Sequence, residues 1–278
     1  MGYGHLAPRD IETVPWKEVH VDLIGPWVVQ IHGRPYEFNV LTCIDPVTNL
    51  TELIQIQEKS SAHIMHKFFL SWLSRYPKSK KCLHDNGGEF VGWEFQQLLE
   101  ILGIRSAPNT SRNPQANAIC ERMHQTAGNI LRTLIHTDPP RTVAEALLLV
   151  DEALARTQLA LRSAVSMPLQ ATPGSIVFGR DMLLNVPVLA DWQLLQTRRT
   201  QLVNAALMRM NAKRRSYDYV LNQQVLKDVH KPPKLGIKRT GPYRVAQVHT
   251  NGTLTIELSP NVTECLSIRQ LSLYRLPT

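Results

Sequence analysis

Polar and apolar residues alternate from Glu18 to Ile24, as in a strand with one buried face, and Gly25-Pro26 predicts its end. Tyr36–Ile44 and Leu50–Gln57 carry two more strand patterns. The segment between them, Asp45-Pro46-Val47-Thr48-Asn49, has turn chemistry, so the first three strands read as an antiparallel meander. Ser60 and Ser61 offer caps for a helix reaching about Arg75 and closed near Pro77. A short strand follows at Lys81–His84, then a helix from about Trp93 to Leu102, stopped by Gly103, and a strand at Ile104–Ala107. Asn109–Gln115 is rich in loop formers. From Asn117 to His136 the pattern turns helical, with Ile119, Met123, Ala127, Ile130, Leu131 and Leu134 on one apolar stripe. A further helix runs from about Thr142 to Ser163. Strands followed by alternating helices and strands predict an α/β fold, a mixed sheet covered by helices.

Pro168, Pro173 and Gly174 mark a boundary. Residues 191–215 read as a linking helix with a basic end, and the remainder as small β structure. Tyr243–Val248 and Thr253–Leu258 flank Asn251-Gly252, a strong hairpin signal. The chain therefore divides into an N-terminal tail (1–14), a core (15–165), a helical linker (166–215) and a compact basic β-barrel (216–278). A length of 278 residues suits two domains.

Charge sharpens this division. Residues 1–190 hold 17 Lys/Arg against 18 Asp/Glu, whereas residues 191–278 hold 14 against 5. The whole positive excess lies in the last third and points to a polyanion, nucleic acid before an acidic membrane. No apolar run is long enough for a membrane span. The first 25 residues carry Asp10, Glu12, Lys17 and Glu18 without an apolar run, so they do not read as a signal peptide. Cys43, Cys82, Cys120 and Cys265 form no C-x-x-C pair, so a cysteine-based zinc site is not expected and the thiols read as small, reduced, buried hydrophobes.

Three acids sit in unusual surroundings. Asp22 lies within a strand, opposite Val19, Val21 and Leu23 by alternation. Asp85 opens Asp85-Asn86-Gly87-Gly88-Glu89-Phe90. Glu121 lies off the apolar stripe of its helix, on a face shared with Gln125, Gly128 and Arg132. Asp45 and Glu89 are competitors, but one reads as turn and the other as loop. Clustered carboxylates repel unless a cation neutralises them, and hard oxygen ligands suit Mg2+ or Mn2+. Two such ions, about 3.5–4 Å apart, can drive an in-line displacement at phosphorus. Acids at strand ends and turns are commonly solvated or capping, so spacing alone leaves open whether the three meet.

Taken together, the segments resemble the integrases of gypsy-type LTR retrotransposons, which are related to retroviral integrases. The matching stretches are Pro15-Trp16, Val21-Asp22-Leu23-Ile24-Gly25-Pro26, His84-Asp85-Asn86-Gly87-Gly88-Glu89-Phe90 and the run from Ser111 through Asn113-Pro114-Gln115 to Glu121-Arg122. Asp85 and Glu121 enclose 35 residues, the spacing of that family's D-D-35-E triad. Thr172-Pro173 with Val177-Phe178-Gly179-Arg180 resembles its post-core signature, and Gly241-Pro242-Tyr243 with Asn251-Gly252-Thr253 its C-terminal GPY/F module.

The resemblance implies an RNase H-like mixed five-stranded sheet with flanking helices, followed by a small Src-homology-type β-barrel. It implies Asp22, Asp85 and Glu121 as catalytic residues and as ligands of two Mg2+ or Mn2+ ions. Asp22 would bridge the ions, and Asp85 and Glu121 would hold one each. The implied reaction is 3′-end processing of element cDNA and its strand transfer into target DNA. Asn117, Gln125 and Arg132 are expected near that DNA. Lys213, Arg214, Arg215, Lys227, Lys231, Lys234, Lys238, Arg239 and Arg244 are expected on its phosphates, where they would give affinity and salt dependence rather than sequence choice. A homo-oligomer, no membrane partner, and action in the nucleus or in virus-like particles complete the expectation. The family normally begins with a His-His-Cys-Cys zinc module. Met1-Gly2-Tyr3-Gly4-His5-Leu6-Ala7-Pro8 resembles the segment after it, so no zinc is expected here. The alternatives are a non-catalytic DNA-binding or chromatin-associated module derived from an integrase and, against the post-core motifs, an RNase H-type nuclease.

Overall fold

In a computed structural model of the chain, the described residues are 2–6, 13–108, 114–137, 139–166, 169–184, 186–229, 236–250 and 252–274, without the side chains of 114–124. The chain divides into two units, Glu12–Gln196 and Met1–Ile11 with Thr197–Thr278. Strand β1 (Gly2–Tyr3) belongs to the second.

The first unit is built on β2 (Glu18–Ile31), β3 (Arg34–Ile44) and β4 (Thr51–Ile56), which pair antiparallel. Helix α1 (Ser61–Phe68) follows, capped by Ser60 Oγ, which accepts from His63 N, and a wider turn runs on through Phe69–Leu73. Next come β5 (Lys81–His84), α2 (Gly88–Val91), α3 (Trp93–Ile101) and β6 (Arg105–Pro108). β5 pairs parallel with β2, and β6 parallel with β5, giving the order β4-β3-β2-β5-β6. Helices α4 (Pro114–Thr137) and α5 (Val143–Ser163) complete it.

Gly25-Pro26 does not end the strand. β2 continues to Ile31 through a register shift between Ile24 and Trp27. Proline has no N–H for a ladder, and a bulge tolerates that loss. Gly25 has φ +120°, and a Cβ there would lie 2.7 Å from the Phe38 carbonyl oxygen, so only glycine fits. The strand then turns at His32-Gly33, both at positive φ, into β3.

Alternation assigns the two faces. Val19 and Val21 join Leu41, Cys43 and Cys82 against Ile64, Phe68 and Trp72 on one side and Phe90, Phe95 and Leu99 of α2 and α3. On the opposite face Ile24, Val29, Phe38, Val40 and Leu53 pack against Leu131 of α4 and Ala146, Val150, Ala153 and Leu154 of α5. Within the predicted stripe of α4, Ala127 and Leu131 are buried and Ile130 and Leu134 pack on this face, whereas the Ile119 and Met123 side chains lie outside the described residues. Cys43 and Cys82 are buried free thiols.

Asp45 is fully buried and serves the turn, accepting from Val47 N, Thr48 N and Thr48 Oγ1. At the β4 edge a second buried acid, Glu52, accepts from Arg162 Nη2 of α5 at 2.7 Å and from the Tyr76 hydroxyl. Tyr76 in turn stacks on Trp16, ring centroids 5.3 Å apart.

Glu18, at the start of β2, lies 3.6 Å from His20 Nε2 and 2.7 Å from Lys81 Nζ. These neighbours outweigh the effect of burial and hold its carboxyl down at about 2. A folded value below the unfolded one means that Glu18 adds stability above about pH 4.5, which drains away as pH falls towards 2. Glu18→Gln is expected to lower the melting temperature at neutral pH by a few degrees, with the gap to the parent closing below about pH 3. Thermal melts of both proteins across that range check it.

In the second unit, the N-terminal tail contributes a short strand. Gly2 and Tyr3 pair parallel with β7 (Arg214–Arg215). Two residues are too few to carry a readable period. Between the units' strands lie α6 (Pro173–Phe178), capped by Thr172 with Pro173 in its first turn and Gly179 left-handed after it, and α7 (Trp192–Asn211). The expected linking helix thus stops at Asn211. Strands β8 (Gln224–Asp228), β9 (Arg239–Val248), β10 (Thr253–Ser259), β11 (Val262–Ser267) and β12 (Leu271–Leu273) form one antiparallel sheet in the order β11-β10-β9-β8-β12. Its core is Val225, Val245, Leu254, Ile256, Leu266, Ile268 and Leu271. Gly252 has φ +78°, while its predicted turn partner Asn251 lies outside the described residues.

Candidate active site

The pairing of β2 with β5 runs Glu18↔Lys81, Val19↔Cys82, His20↔Leu83. β5 ends at His84, so Asp85 follows its last residue, and Asp22 stands two residues beyond the last paired position of β2, near enough to Asp85 for the two carboxylates to repel. Asp22 is partly buried, and Leu23 N donates to its Oδ1 at 2.9 Å. Burial pushes the Asp22 carboxyl above the usual range, against the pull of that N–H, and repulsion from Asp85 and then Glu89 adds to the rise. The fold therefore concentrates negative charge at this strand end. Glu89 was expected in a loop but stands in the first turn of α2, near enough to Asp22 to repel it.

Asp85 is exposed, and Gly87 N donates to its Oδ1 at 2.9 Å, closing a turn that orients the carboxylate. Beneath it, His84 is buried, with Nδ1 2.6 Å from the Asp85 carbonyl oxygen and Nε2 2.8 Å from Ser106 Oγ. A carbonyl only accepts, so Nδ1 carries a hydrogen. The ring also packs on Phe90 and Phe95. His84 thus ties the end of β5 to β6 and fixes the backbone that presents Asp85. Sequence reasoning passed over it; the available signal was a histidine at the last position of an apolar strand, directly before an acid.

Glu121 lies in the second turn of α4, roughly three turns before Leu131. Leu131 packs against Ile24, which shares Asp22's side of β2, so α4 covers the sheet face to which Asp22 belongs. The Glu121 side chain lies outside the described residues. Among the described residues, no three His, Cys, Asp or Glu side chains form a metal-holding group.

The residues expected to meet DNA are dispersed. Gln125 and Arg132 are exposed on α4, with Arg132 Nη1 on Asn129 Oδ1 at 2.9 Å, and the Asn117 side chain lies outside the described residues. Lys213, Arg215 and Lys238 are exposed. Arg214 instead serves the fold: its guanidinium donates to the carbonyls of Gly4, Tyr3 and Ile268. Lys227 pairs with Glu264 at 2.6 Å, Arg239 with Asp228 at 3.1 Å, and Arg244 with Glu257 at 2.7 Å. Lys231 and Lys234 lie outside the described residues.

A mixed five-stranded sheet with helices on both faces thus carries two neighbouring acids, Asp22 within β2 and Asp85 just past the end of β5. No protein-family model matches the chain. Over 135 residues, 48% of its length, it is 28% identical to the retrovirus-related Pol polyprotein from transposon 412 of Drosophila melanogaster, of which the match covers 11%. Over 240 residues, 81% of its length, it is 23% identical to an uncharacterized protein of Caenorhabditis elegans, covering 17% of it. The chain thus spans 11% to 17% of the length of these relatives. Its fold is similar to that of a chain in the cryo-EM structure of the simian T-cell lymphotropic virus intasome in complex with PP2A regulatory subunit B56 gamma. That match has a TM-score of 0.64 at 14% identity and covers 100% of this chain and 85% of that one. At this identity the match establishes the fold alone. The chain is therefore homologous to a segment of retrovirus-related Pol polyproteins and shares the fold of a viral intasome component.

Proposed function

We propose that the chain is a retroelement integrase of the gypsy type, a polynucleotidyl transferase that trims the 3′ ends of element cDNA and joins them to target DNA. The observation that carries this reading is the approach of Asp85 to Asp22 just past the paired stretch of β2 and β5, where burial and the neighbouring acids oppose the ionisation of Asp22. Such a pair fits a hard divalent cation, because oxygen-rich, mutually repelling ligands need a compensating positive charge. Asp22 and Asp85 would hold Mg2+ or Mn2+ together with Glu121, whose place in the family pattern supports its inclusion. A divalent ion there supplies charge neutralisation at phosphorus and lowers the pKa of an attacking hydroxyl.

The chain's own groups do the positioning. Leu23 N–H and Gly87 N–H each take one carboxylate oxygen, leaving the other oxygen free to turn outward. His84 anchors the carbonyl behind Asp85. In this reading residues 15–165 form an RNase H-like core and residues 166–215 a linker. Residues 216–278 then form a Src-homology-type barrel, and the exposed Lys213 at the end of the linker and Lys238 of the barrel contact phosphates. The enzyme acts as a homo-oligomer on cDNA ends and target DNA in the nucleus. The test is nicking and strand transfer on labelled duplex with Mn2+ or Mg2+, comparing the chain with Glu121→Gln. Metal-dependent product that vanishes in the variant, with DNA binding retained, is expected. A folded chain that binds DNA and yields no product would move the assignment to a non-catalytic DNA-binding module.

A further inference from the structure

We propose that the opposite end of the same sheet is a second nucleic-acid contact, in which Lys78, Lys80 and Arg105, with Lys17 and Arg75 beside them, hold the phosphate backbone of a duplex. This rests on the reading of the chain as a DNA-acting protein. The run from Arg75 to Lys81 contains four basic residues and no acidic one, although residues 1–190 as a whole carry slightly more acid than base.

Backbone hydrogen bonds gather the remaining cations around that run. The Lys17 carbonyl accepts from Lys80 N at 3.0 Å and Lys81 N at 3.1 Å, and the Lys80 carbonyl accepts from Arg105 N at 2.9 Å. Lys17, Lys80 and Arg105 therefore stand side by side at the starts of three neighbouring strands, about 4.8 Å from one to the next. Ser79 is fully buried, whereas Lys78 and Lys80 on either side of it are exposed. Arg75, Lys78, Lys80 and Arg105 are all exposed. Lys81 is set apart by its ion pair with Glu18. Among the described residues, no carboxylate pairs with Lys78, Lys80 or Arg105. Trp16, stacked on Tyr76 and packed near Trp72, fixes the chain just before Lys17.

Lys78, Lys80 and Arg105 thus form a cluster of like charges whose mutual repulsion a polyanion relieves. The distance of this cluster from the carboxylates sets the geometry of the partner. Lys80 and Asp85 flank the four residues of β5, so five residue steps separate them, about 16 Å at strand rise. Along one DNA strand that is roughly five phosphates at about 3.4 Å of axis each. A duplex with its reacting phosphate at Asp22 and Asp85 thus brings backbone to this patch without the patch touching the chemistry.

The experiment measures equilibrium binding of a fluorescent 30-base-pair duplex across a salt series, using the full chain carrying Glu121→Gln. It compares that chain with two further triple variants, Lys78→Gln/Lys80→Gln/Arg105→Gln and Lys78→Glu/Lys80→Glu/Arg105→Glu. Losing three phosphate contacts is expected to flatten the slope of log K against log salt by two to three units, and to weaken binding at low salt at least about tenfold. The glutamine variant keeps the test sound if charge reversal unfolds the chain. An unchanged slope and affinity in a folded variant overturns the proposal. So does a variant that keeps its DNA affinity but loses binding to phosphatidylserine vesicles, because the partner is then a membrane. Because binding is read in an inactive background, absence of strand transfer refutes the catalytic reading without touching this one, and the reverse also holds.

Discussion

Asp22→Asn is expected to lower metal-dependent strand transfer by roughly 100- to 1000-fold while making the metal-free protein more stable. Asparagine keeps the shape of Asp22 and retains a side-chain oxygen for the Leu23 N–H, but it carries no charge. It therefore removes both the cost of burying an anion and the repulsion from Asp85 and Glu89, which together hold the Asp22 carboxyl above its ordinary range. Each kcal/mol of such relief corresponds to a rise of roughly 2–4 °C in melting temperature for a unit of this size. Activity should move the other way. A neutral amide is a poor ligand for a hard cation, and losing several kcal/mol of charge stabilisation in the transition state amounts to a fall of roughly 100- to 1000-fold. A third readout joins the two: Mn2+ should raise the melting temperature of the parent, by preferential binding to the folded state, and fail to raise that of the variant. A variant that is less stable than the parent, or that keeps its response to Mn2+, would show that Asp22 is a structural acid.

Arg162→Ala is expected to be the most destabilising single change outside the apolar core. Glu52 is almost completely buried, and its charge is met by the Arg162 guanidinium at 2.7 Å, with the Tyr76 hydroxyl donating to the same oxygen. Removing one member of a buried ion pair strands the other, typically at about 3–5 kcal/mol; because Arg162 itself keeps 21% of its side chain exposed, the lower end applies. That corresponds to roughly 6–12 °C in melting temperature. The second change Glu52→Gln in the Arg162→Ala background separates charge from packing, because a neutral amide needs no counter-ion. Recovery of most of the loss is the expected result. A double variant as unstable as Arg162→Ala alone would mean that the arginine acts through its contacts with Gln158 and the Thr51 carbonyl. The network also reaches Trp16 through Tyr76, so its integrity bears on the strand starts that carry the basic row.

Local chemistry made much of this protein legible. Strand alternation at Glu18–Ile24, the turn residues after Ile44, the serine caps before α1 and the apolar stripe of α4 are all short-range signals, and each marks an element that formed, though β2 runs on to Ile31, α1 stops at Phe68 and α4 starts already at Pro114. The errors fall where a non-local contact overrides a local rule. Gly25-Pro26 reads as a stop, but β3 continues alongside and a bulge absorbs the missing N–H. Gly2-Tyr3 has no period at all and becomes a strand because Arg214 bonds the Tyr3 and Gly4 carbonyls. Arg214 itself, indistinguishable in sequence from its neighbours Lys213 and Arg215, turns inward for the same reason.

The sequence by itself determined the elements and the candidate chemistry, because propensity, capping and alternation act over a few residues and can be read without knowing the neighbours. It marked Asp22 and Asp85 as acids at unusual places but could not say that they are neighbours, since 62 residues lie between them and only the parallel pairing of β2 with β5 closes that gap. Tertiary structure also decided that His84 backs Asp85, that Asp45 and Glu52 are buried and structural, and that the lysines after Arg75 converge with Lys17 and Arg105. Burial and through-space charge depend on which strands become neighbours, and strand order is a property of the assembled sheet rather than of any segment within it.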